Sequence, residues 1–309
     1  MFDKIIVVTK KTALEELIER FNSKSQARFY IEHSGASFEE YEEAHDMYNF
    51  ALEAIKKMLP RSIKQQVIER SFLPNFLFGE KELVITIGPD GLVINTAKYL
   101  NNQPILAVNP DISRIDGILI PFDIGALKQK LSGILQGHFS ATLISMAHVK
   151  LNTGQELYGV NDIFVGPKKQ LSFRYGIEHD GQQENQCSSG IVISTGAGST
   201  GWLKSIIAGA RTIAMNFDGI KINITKSSQF NWDANYLYYC VREPFRSRTS
   251  DISLVFGRIT KDKPLYLTSQ TPAGAVIFSD GIENDFMEFN SGNSAHIAIA
   301  DKKAKLIKN

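Results

Sequence analysis

Leu83-Val84-Ile85-Thr86-Ile87-Gly88-Pro89-Asp90-Gly91, with Leu92 to Leu100 behind it, decides the fold. Apolar and β-branched residues in unbroken succession read as a strand buried on both faces. Gly-Pro-Asp-Gly ends it with turn residues, and the apolar spacing that follows reads as a helix. Strand-turn-helix is the repeating unit of a parallel α/β sheet. The pattern extends outward in both directions. Ile5–Val8 reads as a first strand, Leu14–Phe21 and Phe38–Met58 as helices (the second stopped by Pro60), and Gln66–Glu69 as a weaker strand. Ile105–Val108 is the next strand, and Phe122 to Gly137 contains another helix.

Near residue 140 the character changes. Short strand-like runs follow at Leu157–Val165, Leu171–His179, Ile191–Ser194, Ile220–Ile224, Ile252–Ile259, Ala275–Phe278 and Ala295–Ala300, and one helical stretch at Trp202–Gly209. The expected architecture is an N-terminal Rossmann-like α/β domain over 1–137 and a β-rich domain over 138–290. The segment 291–309 is a candidate to return to the first domain. No repeat, heptad or low-complexity stretch interrupts this order.

Bulk properties narrow the function. In 309 residues, 34 Lys and Arg face 33 Asp and Glu, so no field favours nucleic acid or a membrane surface. The two cysteines, Cys187 and Cys240, form no Cys-x-x-Cys pair, which argues against a zinc site or a disulfide framework. The apolar run Ile5–Val8 is too short for a signal-peptide core, and no run approaches a membrane span. The expected compartment is the cytoplasm, and the Asn223-Ile224-Thr225 sequon is then accidental. His33, His45, His138, His148, His179 and His296 are never three or four apart, so none shares a helical face at ligand spacing, and no metal site is expected. A serine-nucleophile elbow is also missing, because Gly196-Ala197-Gly198-Ser199 does not fit it. Trp232, Tyr236, Tyr238 and Tyr239 read as core or subunit interface.

Three segments carry chemistry. Gly88 and Gly91 let backbone approach a phosphate at the start of a helix, where unpaired N–H groups and the dipole favour anions. Asp90 in that turn would repel phosphate but suits a general base beside a hydroxyl; the plain alternative is a turn with Asp90 as N-cap. Ser194-Thr195-Gly196-Ala197-Gly198-Ser199-Thr200 follows a strand and precedes a helix. Its small side chains expose backbone, its hydroxyls can read an adenine edge, and Trp202 can cover a base; the alternative is a flexible surface turn. Asn161-Asp162 can hold a vicinal diol such as a ribose, and is equally a common turn pair.

Together and in this order, the segments resemble the NAD kinase family, whose signature runs Gly-Gly-Asp-Gly-Thr, Asn-Glu, and Ser-Thr-x-x-Gly-Ser-Thr. Further matches resemble the animal mitochondrial branch: Val7-Val8-Thr9-Lys10, Ala107-Val108-Asn109-Pro110-Asp111, Arg114-Ile115-Asp116-Gly117, Ser188-Ser189-Gly190, Val241-Arg242-Glu243-Pro244 and Ser279-Asp280-Gly281. The resemblance implies transfer of the ATP γ-phosphoryl to the 2′-hydroxyl of the adenosine ribose of NAD, with Mg²⁺ and a homodimer. It implies Asp90 as base, Gly88 and Gly91 at the phosphates, and Asn161 and Asp162 on ribose hydroxyls. Thr195, Ala197 and Ser199 would lie at the adenine; Lys10, Asn109 and Arg114 are further candidate contacts. Pro89 departs from the signature by removing an N–H, Leu92 by removing a hydroxyl, and Asp162 by one methylene. Those departures leave room for a dinucleotide sensor without turnover, or for a kinase of another hydroxyl compound such as a lipid or sugar.

Overall fold

The structure, a computed structural model, describes residues 2–219 and 227–309. The strand-like run Ile220–Ile224 and the Asn223-Ile224-Thr225 sequon fall outside the described residues. The chain forms two compact units: residues up to Thr142 together with Lys305–Asn309, and Leu143–Ala304.

The first unit contains β1 (Lys4–Thr9), α1 (Ala13–Phe21), α2 (Lys24–His33), α3 (Phe38–Met58), β2 (Lys64–Glu69), β3 (Glu82–Ile87), α4 (Asp90–Ala97), β4 (Pro104–Val108) and α5 (Ile124–Leu135). Its strands run parallel in the order β2-β1-β3-β4. Every residue of β3 and β4 is buried, which is why both read as unbroken apolar runs. Ile5, Val7, Ile85 and Leu106 from the sheet pack with Tyr48 and Ile55 of α3 and Leu127 and Leu131 of α5. Thr12 caps α1 in a capping box: its hydroxyl accepts from Glu15 N–H, and Glu15 accepts from Thr12 N–H at 2.7 Å. α2 has no counterpart in the sequence reading. Only Ala27 and Ile31 of its ten residues are buried, so it carries little apolar periodicity.

The second unit contains β5 (Ala141–Leu151), β6 (Glu156–Gly159), β7 (Asp162–Pro167), β8 (Phe173–His179), β9 (Gln182–Ser188), β10 (Ile191–Ser194), α6 (Trp202–Asp218), β11 (Leu237–Val241), β12 (Phe256–Ile259), β13 (Leu265–Ser269), β14 (Ala275–Ser279), β15 (Ile282–Glu288) and β16 (Ser294–Ile307). The first two residues of β5 and the last three of β16 belong to the first unit. One antiparallel sheet has the order β12-β11-β10-β7-β14-β15; β16, β13, β8 and β9 form a second series. Inward residues of both, among them Ile163, Val165, Ile193, Tyr239 and Ile277 facing Phe173, Tyr175, Leu265 and Ile297, make one core. The run Leu157–Val165 is two strands, broken at Val160-Asn161. The helix read over Trp202–Gly209 extends to Asp218. Among the described residues no helix is long and apolar enough to cross a membrane.

Candidate functional site

In the first unit, β3 delivers Gly88 to its tip. Gly88 has φ +147°, a conformation that L side chains rarely adopt. A Cβ there would lie 3.2 Å from Leu92 Cδ2 and 3.6 Å from Lys10 Cγ, so the aliphatic stem of Lys10 and the side chain of Leu92 close over the glycine. Lys10 is held in place through its backbone N–H, which donates to Tyr48 Oη at 3.0 Å. Burial pushes the Tyr48 hydroxyl up to about 12, so it stays neutral. Pro89 sits at the N-cap of α4 with φ −72°. The positive φ thus falls on Gly88, and the proline fits without strain.

Gly88 N–H faces the sheet and donates to Val108 O at 3.3 Å, and Leu92 N–H closes on Pro89 O at 2.8 Å. The first N–H groups of a helix have no intrahelical acceptor, so those of Asp90 and Gly91 are the outward donors of this turn. The Asp90 carboxylate accepts from Ile118 N–H at 3.1 Å and Leu119 N–H at 2.9 Å. That loop is organised by Asn109, whose amide donates to Ile115 O at 2.8 Å and accepts from Asp111 N–H at 2.9 Å. Asp111 is held below the usual carboxylate range by Ser113 and by Arg114. Arg114 bridges Asp111 at 2.9 Å and Glu43, so both ends of its guanidinium are engaged. Lys10, Gly88, Asp90 and Gly91 therefore come together directly, whereas Asn109 and Arg114 shape the loop that holds Asp90.

In the second unit, Asn161-Asp162 and the Ser194–Thr200 run meet. Thr195 N–H donates to Asn161 O at 2.9 Å, and its hydroxyl donates to Val160 O at 2.5 Å while accepting from Gly198 N–H at 3.2 Å. Ser199 Oγ donates to Gly196 O at 2.7 Å. Thr195 and Ser199 are fully buried; Ala197 is half-buried. The run is closely packed and its glycines are required for space. A Cβ on Gly196 would lie 1.9 Å from Asn231 O, and one on Gly198 only 2.2 Å from Asn161 O.

The Asp162 side chain lies in this junction. Its Oδ1 is buried and has no hydrogen-bond partner among the described residues. Burial pushes the carboxyl up to about 7; the nearby Ser194 hydroxyl opposes the shift and the neighbouring Asp280 adds to it. Asp280 is the residue to which the sequence reading assigned no role. At φ +56° its carboxylate accepts from the N–H groups of Val160 (3.0 Å), Asn161 (2.7 Å) and Asp162 (3.3 Å), fixing the Asn-Asp turn. Its signal in sequence was the Ser279-Asp280-Gly281 turn, which shows a tight corner and not the backbone it gathers. Trp202 does not hang free as a lid: its ring stacks on Phe164 with centroids 5.5 Å apart.

An N-terminal α/β unit with a parallel sheet, followed by a β-rich unit with an antiparallel sheet, is the two-domain fold seen in solved NAD kinases. An NAD kinase from Archaeoglobus fulgidus, solved in complex with ATP, matches with a TM-score of 0.57 at 15% identity, covering 99% of this chain and 94% of that one. Yeast NADH kinase complexed with NADH matches with a TM-score of 0.59 at 14% identity, covering 99% and 83%. In sequence the chain is similar to the NAD kinase of Acidithiobacillus ferrooxidans, 30% identical over 147 residues (43% of this chain, 48% of the relative). It is also 30% identical to the NAD kinase of Wigglesworthia glossinidia brevipalpis over 134 residues (41% and 45%). The match thus spans about half the length of the curated relatives. No protein-family profile matches the chain.

Proposed function

We propose that the protein is an ATP-dependent NAD kinase. The observation that carries this reading is the junction in the second unit. Asn161-Asp162 and the Ser194–Thr200 run, read separately as ribose and adenine contacts, are joined by Thr195 N–H to Asn161 O at 2.9 Å. Asn161 and Asp162 are assigned to the ribose hydroxyls. Because the hydroxyls of Thr195 and Ser199 are turned inward, adenine contacts fall to the loop backbone and to Ala197.

Asp90 is assigned as general base. Each carboxylate oxygen accepts one backbone N–H and keeps lone-pair capacity for a substrate hydroxyl. It would take the proton of the 2′-hydroxyl as that oxygen bonds to the γ-phosphorus, the β–γ bridge bond breaks and ADP leaves. The N–H groups of Asp90 and Gly91, with Lys10, would orient the phosphates. Among the described residues no group of three or more His, Cys, Asp or Glu side chains could hold a metal. Mg²⁺, taken from the family resemblance, is assigned to the phosphates of ATP, where it would neutralise charge. The reading also includes a homodimer, taken from the family resemblance and tested by light scattering, and a cytoplasmic location.

The test is NADP⁺ formation from ATP, Mg²⁺ and NAD⁺, with Asp90→Asn alongside. The variant is expected to lose about 10²- to 10⁴-fold in turnover, the usual contribution of a general base, with NAD⁺ binding in calorimetry retained. Wild-type protein that binds NAD⁺ without turnover would refute the kinase reading in favour of a dinucleotide sensor.

A further inference from the structure

The outer face of the β12-β11-β10-β7-β14-β15 sheet carries a cavity that the nucleotide reading does not use. It measures about 160 Å³ and is walled by Phe164, Trp202, Phe278 and Phe286, with Lys168 and Arg242 among its lining residues. Its floor is built with care for space. The Phe164 ring lies across two glycines: a Cβ on Gly166 would come within 2.5 Å of that ring, and one on Gly190 within 2.6 Å. Gly190 has φ +116°, so both its conformation and its missing side chain are required. Trp202 stacks on this floor at an interplanar angle of 15°, and Phe278 leans on it with ring centroids 5.1 Å apart.

The cations hold defined positions. The Arg242 guanidinium lies 5.4 Å from the Trp202 ring centroid, and Lys168 Nζ lies 4.3 Å from that of Phe286. The main chain that carries them is paired: Arg242 N–H donates to Gly190 O, and Lys168 N–H to Gly274 O, each at 2.8 Å. The acidic neighbour of Arg242 is Glu243, 3.7 Å away on an exposed side chain. Flat walls with two positive groups select a flat, negatively charged guest. Size selects further: an apolar cavity of about 150 Å³ holds one benzene ring.

We propose that this cavity binds a small planar carboxylate with a single aromatic ring, the ring packed among Phe164, Trp202, Phe278 and Phe286 and the carboxylate reaching Arg242 and Lys168. The site is independent of the kinase reading.

The probe is benzoate, followed by calorimetry and by quenching of tryptophan fluorescence. Saturable one-to-one binding with a Kd of about 1 mM or tighter is expected for a ligand of this size. Benzyl alcohol, with the same ring and no charge, is expected to bind roughly tenfold more weakly, as are benzoate complexes of Arg242→Gln and Lys168→Gln. The two substitutions should leave benzyl alcohol unchanged, a readout that loss of folding would not reproduce. Saturating NAD⁺ should leave benzoate binding intact. Failure to saturate, equal affinity for acid and alcohol, insensitivity to both charge substitutions, or full competition by NAD⁺ would each overturn the assignment.

Discussion

The Gly88–Leu92 turn and the Ser194–Thr200 loop are both small-residue stretches between a strand and a helix, yet they use their small residues in opposite ways. At Gly91 nothing lies within 4 Å of where a Cβ would be, and the residue is exposed. At Gly198 the same atom would meet Asn161 O at 2.2 Å. The first turn keeps space in front of Gly91, and the second has filled that in front of Gly198 with its own chain. Glycine in a motif therefore has two meanings, room for a ligand or room for the protein, and only the surroundings separate them.

Alanine substitution is the sharpest way to break this comparison. Gly198→Ala is expected to cost about 3 kcal/mol, because the intruded atom is backbone and cannot rotate away. Gly91→Ala, exposed in the first turn of a helix, should change stability by no more than about 0.5 kcal/mol while lowering turnover, if phosphates approach there. Urea unfolding of both variants with the NADP⁺ assay checks this. Equal stabilities would mean that the Ser194–Thr200 loop is not packed as described.

The second test concerns charge in the filled junction. With its carboxyl raised to about 7, folded Asp162 holds a proton that the unfolded chain releases near 4. Between those values the native state binds more protons, so its contribution to stability is present at low pH and lost as pH rises toward 7. The loss is on the order of 4 kcal/mol, about 1.4 kcal/mol for each pH step between roughly 4 and 7. Asp162→Asn removes the titration, so the variant should gain on the wild type between pH 5 and pH 8. Denaturant midpoints at the two pH values measure it, and parallel curves would contradict a buried carboxyl.

The sequence displayed the first turn better than the second. β3, Gly88 and α4 are contiguous, so buried strand, glycine turn and helix start could be read in one line. The second junction is assembled from Val160, Thr195 and Asp280, and no local pattern tells Thr195 to turn its hydroxyl toward Val160 O. The strands divide the same way. β10, Ile-Val-Ile-Ser, opens with three apolar β-branched residues and was legible. β9, Gln-Gln-Glu-Asn-Gln-Cys-Ser, is polar and forms because Asp180 and Gly181, both at positive φ, fold it back on β8. Pairing makes that strand, and pairing leaves no apolar period to read.

The hydroxyls of the loop give a smaller effect. Thr195→Val keeps the shape but strands Val160 O and Gly198 N–H, at a cost of about 2 kcal/mol. Thr195→Ser should recover most of it. If instead Thr195→Val keeps wild-type stability and loses only NAD⁺ affinity in calorimetry, the hydroxyl faces ligand, and the contrast between the two regions fails.

The smallest effect is expected at Pro89, at the N-cap of α4. Its φ of −72° lies in the proline well, and the strained angle belongs to Gly88. Pro89→Gly frees the unfolded chain and should lower stability by about 0.5–1 kcal/mol. Turnover is expected to stay within about threefold, because the outward donors, Asp90 and Gly91 N–H, are present with either residue. A tenfold rise would show that the N–H missing from proline had limited phosphate binding. In that case this turn keeps its space at the cost of a donor, and the open region of the molecule is also the less complete one.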